Sequence, residues 1–430
     1  MLTISPHDKD ILRNLAKKQM ECAHSETNLQ NMADWKLHNA CRGRRPMIHL
    51  ELGTFAEEVI PRRLKCEGET ARRLEWQLYD GFLNHDLFMD DRPVNDYFPV
   101  YWAIGFIPFG ISIEAVYAKD REGRGLGHRF LHAINDLEDD FHKLGESRYG
   151  VDREATQRQL DLAADIFGDI LIPKLTGYGL VSSPTQAIVH IMGMERMFIS
   201  MYDCPGLFHE MMDRYTADTL ASFNYMERER LLLPTIGAEN LDQGSWCFTG
   251  ELPESPQTTL DVWGYMDSQE TVGVSPKMFG EFFFPYYKRI AQRMGLLSYG
   301  CCEPIHPIWD NYIETLGNVR KASISAWCDE GYMGERLREC NRDGRKIIYH
   351  RKPNPNFLGV GAVLDEEGLR LHIRDTLTAA KGCPLEITQR DVYTINHDEA
   401  KARRYIEIIR DEIEKHWQQT ALGQGFRQVV

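Results

Sequence analysis

Short apolar runs alternate with amphipathic stretches from about residue 150 to the end of the chain, and this alternation most constrains the fold. Runs such as LLSYG (296–300) and PLEITQ (384–389) are typical of strands, and helical patterns separate them. Strands joined by crossover helices pair in parallel, so the repeated β-α units predict a parallel sheet. A (β/α)8 TIM barrel takes about 250 residues. We therefore predict an α/β fold with such a barrel over residues 96–430.

The first part of the chain, residues 1–95, is rich in charged residues and helix formers, and we predict a mainly helical N-terminal extension there. Further along, Ser275 before Pro276 has the pattern of an N-cap followed by a proline in the first turn, which predicts a helix start. The stretch HPIWDNYIETLG (306–317) is also predicted to be helical.

The charge of the chain argues against two classes of partner. Its 430 residues carry a formal net charge of −14 at pH 7, whereas binding to nucleic acid or to an anionic membrane surface requires a basic face. No apolar run approaches the roughly 18 residues of a membrane-spanning helix, and the N-terminus has no signal-peptide pattern. We expect a cytoplasmic protein whose ten cysteines are reduced.

The sequence YGCCEP (299–304) gathers two thiols and a carboxylate directly after a predicted strand. Catalytic residues of TIM barrels lie at the carboxyl ends of the strands. Because neighbouring residues of an extended chain point to opposite sides, Cys301 and Glu303 share a face, and we expect these two in the site. Cys302 and His306 are then expected to be structural.

Two blocks of the chain resemble the uroporphyrinogen decarboxylase superfamily, which includes corrinoid-dependent methyltransferases. The first, at 182–216, has a proline, an apolar helix, G-x-E, and D-x-P before a long helix. The second, at 265–287, has an aspartate and then S-P-x-x-F-x-E-F-x-x-P-Y. The resemblance covers about residues 170–410 and implies a TIM barrel with its site at the mouth.

The resemblance also implies an activity, in which a methyl group moves from a small methylated substrate to the Co(I) of a corrinoid. The chain shows no corrinoid-binding domain of its own, so we expect the cofactor to arrive on a partner, a corrinoid protein. The long N-terminal region is similar to that of substrate-demethylating members. The favoured substrate is an aryl methyl ether, as in ether-cleaving O-demethylases. Whether two copies of the chain form a homodimer is left open.

The matched motifs and the strand ends supply the candidate site residues. The catalytic candidates are Asp267, Glu270, Glu303, Asp329 and His350. Of these, Asp329 could instead be an N-cap, whereas a histidine that closes a strand at the mouth could act as a general acid. The candidate substrate contacts are Tyr265, Tyr299, Trp327, Gln389 and Asp391. Lys352 is expected to be solvated.

A methyl group is transferred readily from oxygen or nitrogen only when a proton donor or a Lewis acid such as Zn²⁺ activates that leaving atom. Zinc-dependent members of the superfamily bind metal through H-x-C on one strand and a cysteine on a late strand. Here Tyr299 stands at the histidine position, and the late strand carries no cysteine. The complete set of zinc ligands found in the family is therefore not present in this sequence. The candidate ligands of a zinc ion are instead Cys301, Glu303 and His350.

Three other functions stay open at this stage. One is methyl transfer from a corrinoid to tetrahydrofolate or a thiol, within the same superfamily. A second is decarboxylation, although the arginine-rich N-terminal signature of the decarboxylases that act on porphyrinogens is missing. The third is a non-catalytic barrel that binds a small ligand or a corrinoid protein, and the missing histidine ligand keeps this reading open.

Overall fold

A parallel sheet of seven strands organises the computed structural model, which describes residues 4–119 and 125–417. The strands are β1 Met47–Leu50, β2 Tyr97–Val100, β3 Ala103–Ile107, β4 Glu114–Lys119, β5 Gly125–Leu131, β6 Arg148–Asp152, β7 Ile172–Leu175, β8 Leu180–Ser182, β9 Trp263–Met266, β10 Leu296–Tyr299, β11 Val319–Ile324, β12 Ile348–Arg351 and β13 Leu385–Gln389. The main sheet has the order β1-β13-β12-β11-β10-β9-β8.

Helices precede the first strand of the main sheet and follow most of the others, whereas only 3-10 turns lie between β10 and β11. The α-helices are α1 Pro6–Ala23, α2 Glu26–Asn39, α3 Ala56–Val59, α4 Glu69–Leu83, α5 Leu137–Asp140, α6 Arg153–Phe167, α7 Pro184–Met192, α8 Met194–Asp203, α9 Pro205–Arg228, α10 Pro276–Phe282, α11 Phe284–Ala291, α12 Glu330–Arg342, α13 Asn356–Gly359, α14 Glu366–Ala379 and α15 Glu399–His416. Asn84–Phe88 forms a π-helical turn. Single 3-10 turns lie at Gly53–Phe55, Pro61–Arg63, Pro108–Gly110, Phe141–Lys143, Thr259–Asp261, Gln269–Thr271, His306–Ile308 and Ile313–Thr315.

The predicted α/β class with a parallel sheet is confirmed, and its first and last strands are neighbours. Strand β1 pairs in parallel with β13, so that Met47 lies opposite Glu386. Strands β8 and β1 are the two edges of this sheet, and within residues 4–119 and 125–417 no eighth strand is hydrogen-bonded between them. The parallel pair β2 and β7 and the antiparallel pairs β3–β6 and β4–β5 form separate small sheets.

A loop rather than a strand connects the two edges. Next to β8, the Gly179 N–H donates to the carbonyl of Asn240. Next to β1, the indole of Trp246 packs edge-on against the His49 ring, with 5.4 Å between the ring centroids. The turn between Asn240 and Trp246 thereby enters the space that an eighth strand would occupy.

The main sheet begins before residue 96, where the barrel domain was predicted to start. Strand β1 lies within the predicted N-terminal extension, between α2 and α3. Its four residues, MIHL, are fully buried, and Asp91 covers its free edge by accepting the Ile48 N–H at 2.8 Å. The N-terminal residues thus include helices, as predicted, and also one strand of the main sheet.

Two helix predictions have different outcomes. Ser275 caps α10, because its hydroxyl accepts the Met278 N–H, and Pro276 occupies the first turn. The predicted helix at 306–317 is wrong, since this stretch contains only two 3-10 turns and leaves helical geometry at Tyr312, with φ −131° and ψ −68°. In the described part of the chain no helix is long and apolar enough to cross a lipid bilayer.

Candidate active site at the carboxyl ends of the strands

A cavity of about 830 Å³ opens at the carboxyl ends of the main-sheet strands. Its polar lining comes from residues that directly follow strands: Ser183 after β8, Asp267 after β9, Cys301 and Cys302 after β10, and Asp391 after β13. Since parallel strands all end at the same edge, the fold brings these side chains together. The remaining lining residues are Val181, Gln186, Asp242, Gln243, Tyr265, Gln269, Trp327, Pro355, Asn356, Gly359, Val360, Arg390, Tyr393 and Thr394.

Asp267 is a buried carboxyl group that faces this cavity. Its Oδ2 accepts hydrogen bonds from the Tyr265 hydroxyl at 2.5 Å and the Ser183 hydroxyl at 3.2 Å. Its Oδ1 is buried and has no hydrogen-bond partner. Burial, followed by repulsion from the nearby Glu303, raises the pKa of Asp267 well above its ordinary value. The raised pKa favours the protonated form of Asp267, in which the carboxyl group can donate a proton.

Cys301 and Cys302 place two sulfur atoms in the same cavity. Their Sγ atoms are 3.5 Å apart, and the Cys302 thiol also donates to Asp391 Oδ2 at 3.0 Å. The sulfur–sulfur contact with Cys302, together with the positive charges of Lys352 and Arg390, lowers the pKa of Cys301 to about 7. The contact with Cys301 and burial raise the pKa of Cys302 above its ordinary value. Cys301 is therefore the more acidic thiol of the pair.

Lys352 is buried against the cysteine loop, contrary to the prediction that it is solvated. Its side chain is only 3% exposed. Its Nζ donates to Gln243 Oε1 at 2.6 Å and to the carbonyls of Gly300 and Cys301 at 3.3 and 3.1 Å. Among the described residues no carboxylate oxygen lies within 4.0 Å of this Nζ. Burial and the charge of Arg390 lower the pKa of Lys352.

Glu303 does not face the cavity, although it was predicted to be catalytic. One carboxylate oxygen accepts the Ser268 N–H at 2.9 Å, and the other accepts the Cys301 N–H at 2.8 Å. The carboxylate, 3% exposed, thus joins the loop after β9 to the loop after β10. The expectation that Glu303 and Cys301 share a face applies only to an extended chain. Here the chain turns at Gly300, where φ is +100°.

His350 lies deeper between the strands than the cavity lining. Its Nδ1 is 3.1 Å from Glu386 Oε1, and its Nε2 is 2.9 Å from Thr388 Oγ1. Burial lowers the pKa of His350 well below its ordinary value. Lys321 also pairs with Glu386, at 2.8 Å and with both side chains fully buried. His350 therefore belongs to a buried polar network and has no ring nitrogen free for a substrate.

The three candidate zinc ligands are not brought together. Within residues 4–119 and 125–417, the only three ligand atoms within 4.8 Å of one another belong to Cys22, His85 and Asp86, none of which lines the cavity. There the Lys18 ammonium already lies 3.2 Å from Asp86 Oδ2. The set Cys301, Glu303 and His350 does not fit a metal ion in this arrangement.

Four other predicted residues lie outside the cavity lining. The Glu270 carboxylate, whose pKa burial raises, accepts from the Thr185 hydroxyl at 2.8 Å. Asp329 is the N-cap of α12. The Tyr299 hydroxyl donates to Ser268 Oγ at 2.8 Å, and Gln389 accepts from the Tyr405 hydroxyl. By contrast, five other candidates all line the cavity: Tyr265, Asp267, Cys301, Trp327 and Asp391.

Sequence reasoning missed Gln243, Arg390 and Ser183. Gln243 accepts from both Lys352 and Arg390, yet it comes from the loop that connects the sheet edges and has no strand pattern around it. Its backbone is left-handed, with φ +54°. Arg390 and Ser183 directly follow β13 and β8, so the rule that favours strand ends could have found both.

Comparison with known proteins finds similarity at the level of structure. No known family model matches the chain, and no curated protein matches it. Among solved structures, the chain is similar to a methyltransferase from Methanosarcina mazei, with a TM-score of 0.48 and 10% sequence identity over 89% of this chain and 98% of that one. The chemistry of this chain depends on the residues that line its cavity.

Proposed function

We propose that this protein is a corrinoid-dependent methyltransferase that removes the methyl group of a small substrate, with an aryl methyl ether as the favoured class. The observation that carries the proposal is the Asp267 carboxyl group, which lines the cavity and has a buried, unpartnered Oδ1. Burial also raises its pKa well above the ordinary value. Methyl transfer from oxygen needs a proton at the leaving oxygen, because an alkoxide or phenoxide is a poor leaving group at neutral pH. Asp267 is suited to supply that proton.

Tyr265 and Ser183 hold Asp267 in place for this task. Both hydroxyls bond to Oδ2, so Oδ1 is left without a hydrogen-bond partner in the protein. Tyr265 and Asp267 are two positions apart, so they share one face of the chain as β9 ends. Tyr265 also lines the cavity, and its ring offers an apolar surface to an aromatic substrate.

The methyl acceptor in this proposal arrives on a separate corrinoid protein. When bound, the reduced corrinoid supplies Co(I), a nucleophile strong enough to take the methyl group. Three exposed apolar side chains of the cavity lining support docking at the mouth: Trp327, Val360 and Tyr393 are 60%, 62% and 77% exposed. Exposed apolar groups of this kind mark contact surfaces. The residues proposed here act without zinc, because the candidate ligands do not converge.

The test is an anaerobic assay with reduced cobalamin in place of the corrinoid protein. The protein is incubated with Co(I) cobalamin and a panel of methoxyarenes and methylamines, and both the Co(I) absorbance and the demethylated product are followed. The proposal predicts that both change together with a methoxyarene. Methyl transfer from methylcobalamin to tetrahydrofolate or a thiol, with no substrate demethylated, would instead support the reverse direction. A protein that is inactive in both assays, and also with added corrinoid protein, would contradict the proposal.

A further inference from the structure

The two adjacent cysteines form a thiol pair, which the methyl transfer proposed above does not require. In an extended chain their side chains would point to opposite sides. Here the turn at Gly300, with φ +100°, brings both to the cavity, with their sulfurs 3.5 Å apart. We propose that Cys301 and Cys302 are a site of reversible oxidation, at which a hydroperoxide that enters the cavity closes the pair to a disulfide between neighbouring residues.

The oxidation takes place in two balanced steps. The Cys301 sulfur attacks one oxygen of the hydroperoxide, the O–O bond breaks, and water or an alcohol leaves as Cys301 becomes a sulfenic acid. The Cys302 sulfur then attacks the Cys301 sulfur, an S–S bond forms, the S–O bond breaks, and a second water leaves. In total the two thiols lose two electrons and two protons, and the hydroperoxide gains them.

The neighbours of the pair suit each step. Lys352 Nζ, with no carboxylate partner among the described residues, lies 3.1 Å from the Cys301 carbonyl oxygen and places a positive charge beside the attacking sulfur. Asp391 Oδ2, 3.0 Å from Cys302 Sγ, is placed to take the thiol proton when Cys302 attacks. All ten cysteines lie in the described ranges, and no other two have their sulfurs in such a contact.

Closure requires only a small movement and gives a bond that is easily reduced. A disulfide needs its sulfurs about 2.05 Å apart, so the two Sγ atoms must approach by about 1.5 Å. Neighbouring Cα atoms are about 3.8 Å apart, closer than the usual disulfide spacing of about 4.4–6.8 Å, and such strain makes a disulfide more reducible. The proposed modification would therefore be reversible by a dithiol reductant.

The experiment is peptide mapping after brief treatment of the whole protein with hydrogen peroxide. Free thiols are alkylated, and the mass of the peptide that contains Cys301 and Cys302 is measured by mass spectrometry before and after treatment with a dithiol reductant. We expect this peptide to lose two hydrogen atoms, to resist alkylation, and to recover both properties on reduction. In C302S the reaction should stop at a Cys301 sulfenic acid, which a cyclic diketone probe captures. The control C204S, at a half-buried cysteine outside the cavity lining, should behave as the wild type.

A second variant keeps both thiols and so guards against misfolding of the cysteine variants. In D391N the amide cannot take the Cys302 proton, and we expect disulfide formation to slow at least several-fold while sulfenic acid accumulates. The proposal is overturned if Cys301 and Cys302 stay fully alkylatable after peroxide treatment. It is also overturned if C302S loses the same mass as the wild type, or if peroxide oxidises Cys204 as readily as Cys301. None of these measurements depends on methyltransferase activity.

Discussion

The Tyr265 hydroxyl donates a hydrogen bond of 2.5 Å to Asp267 Oδ2, while the other oxygen of the same carboxyl group is buried without a partner. A carboxyl group that is fixed on one side and free on the other is suited to hold a proton and present it to a bound molecule. Burial raises the pKa of this carboxyl group and so favours its neutral form. The proposed demethylation depends on this arrangement.

Replacing Asp267 by asparagine should abolish proton donation and keep the shape of the site. The amide oxygen can still accept from Tyr265, so the fold should be retained. We expect demethylation of a methoxyarene to fall by roughly 10²-fold or more, the usual contribution of a general acid. The measurement is the rate of Co(I) consumption. A matched control is E254Q, at an exposed glutamate outside the cavity, which should keep the wild-type rate.

The stability of the protein should depend on pH through the same carboxyl group. Because the pKa of Asp267 is higher in the folded protein than in the unfolded chain, the folded state binds the proton more tightly. Stability from this group is fully present below the unfolded value of about 4, and it is lost as pH rises through the folded pKa. We therefore expect the free energy of unfolding of the wild type, measured with denaturant, to fall relative to that of D267N as pH rises above about 4. A difference that is independent of pH would contradict the raised pKa.

Lys352 should control the acidity of Cys301. Replacing it by methionine keeps the buried aliphatic length and removes the charge, so the pKa of Cys301, lowered to about 7 in the wild type, should rise. The rate of alkylation of Cys301 against pH measures this pKa. In K352M the Gly300 carbonyl loses the lysine as its donor, while Gln243 Oε1 still accepts from Arg390. We expect a loss of stability of about 1–3 kcal/mol. An unchanged alkylation profile would show that the lysine charge does not act on the thiol.

His350 is expected to matter for stability and not for turnover. It pairs with Glu386 and Thr388 in a fully buried network, so H350Q should lower the free energy of unfolding by about 1–3 kcal/mol. At a temperature where the variant is folded, kcat should stay within a factor of about two, since the ring does not reach the cavity. A large fall in kcat with unchanged stability would restore the catalytic role that the sequence predicted.

The exposed indole of Trp327 should contribute to binding of the corrinoid protein. W327A should weaken that binding at least several-fold and leave unfolding within about 0.5 kcal/mol of wild type, as is usual for an exposed side chain. Titration calorimetry with the reduced partner gives the affinity. The control L371S changes a leucine on α14 that is 55% exposed and outside the cavity lining. Equal affinities for the two variants would place the docking surface elsewhere.

Much of the fold could be predicted because apolar runs mark buried parallel strands. Strands β10 and β13 occur where the apolar runs LLSYG and PLEITQ indicated them. Strand β1 was missed because MIHL lies within a region whose charged residues and helix formers indicated helices. The stretch 306–317 has helical spacing, but the buried Ile308 and Ile313 belong to two separate 3-10 turns, where tertiary packing overrides local propensity.

The site was predicted in part, because the sequence tells which residues follow a strand but not how deep or in which direction they lie. Asp267, Cys301 and Asp391 follow strands and do line the cavity. His350 still belongs to β12, so it stays between the strands. Glu303 follows the turn at Gly300, where the alternation of an extended chain no longer applies. The burial of Lys352 depends on acceptors in the loop of Gln243, which no local pattern could reveal.

The most direct test of the central claim is the infrared difference spectrum between wild type and D267N at neutral pH. The account predicts that the wild type has a carbonyl band of one protonated carboxyl group that D267N lacks, and that this band shifts in heavy water. The subtraction removes other carboxyl groups, including the buried Glu270. If the spectra instead differ only by the bands of an ionised carboxylate, Asp267 is charged at neutral pH and cannot be the proton donor.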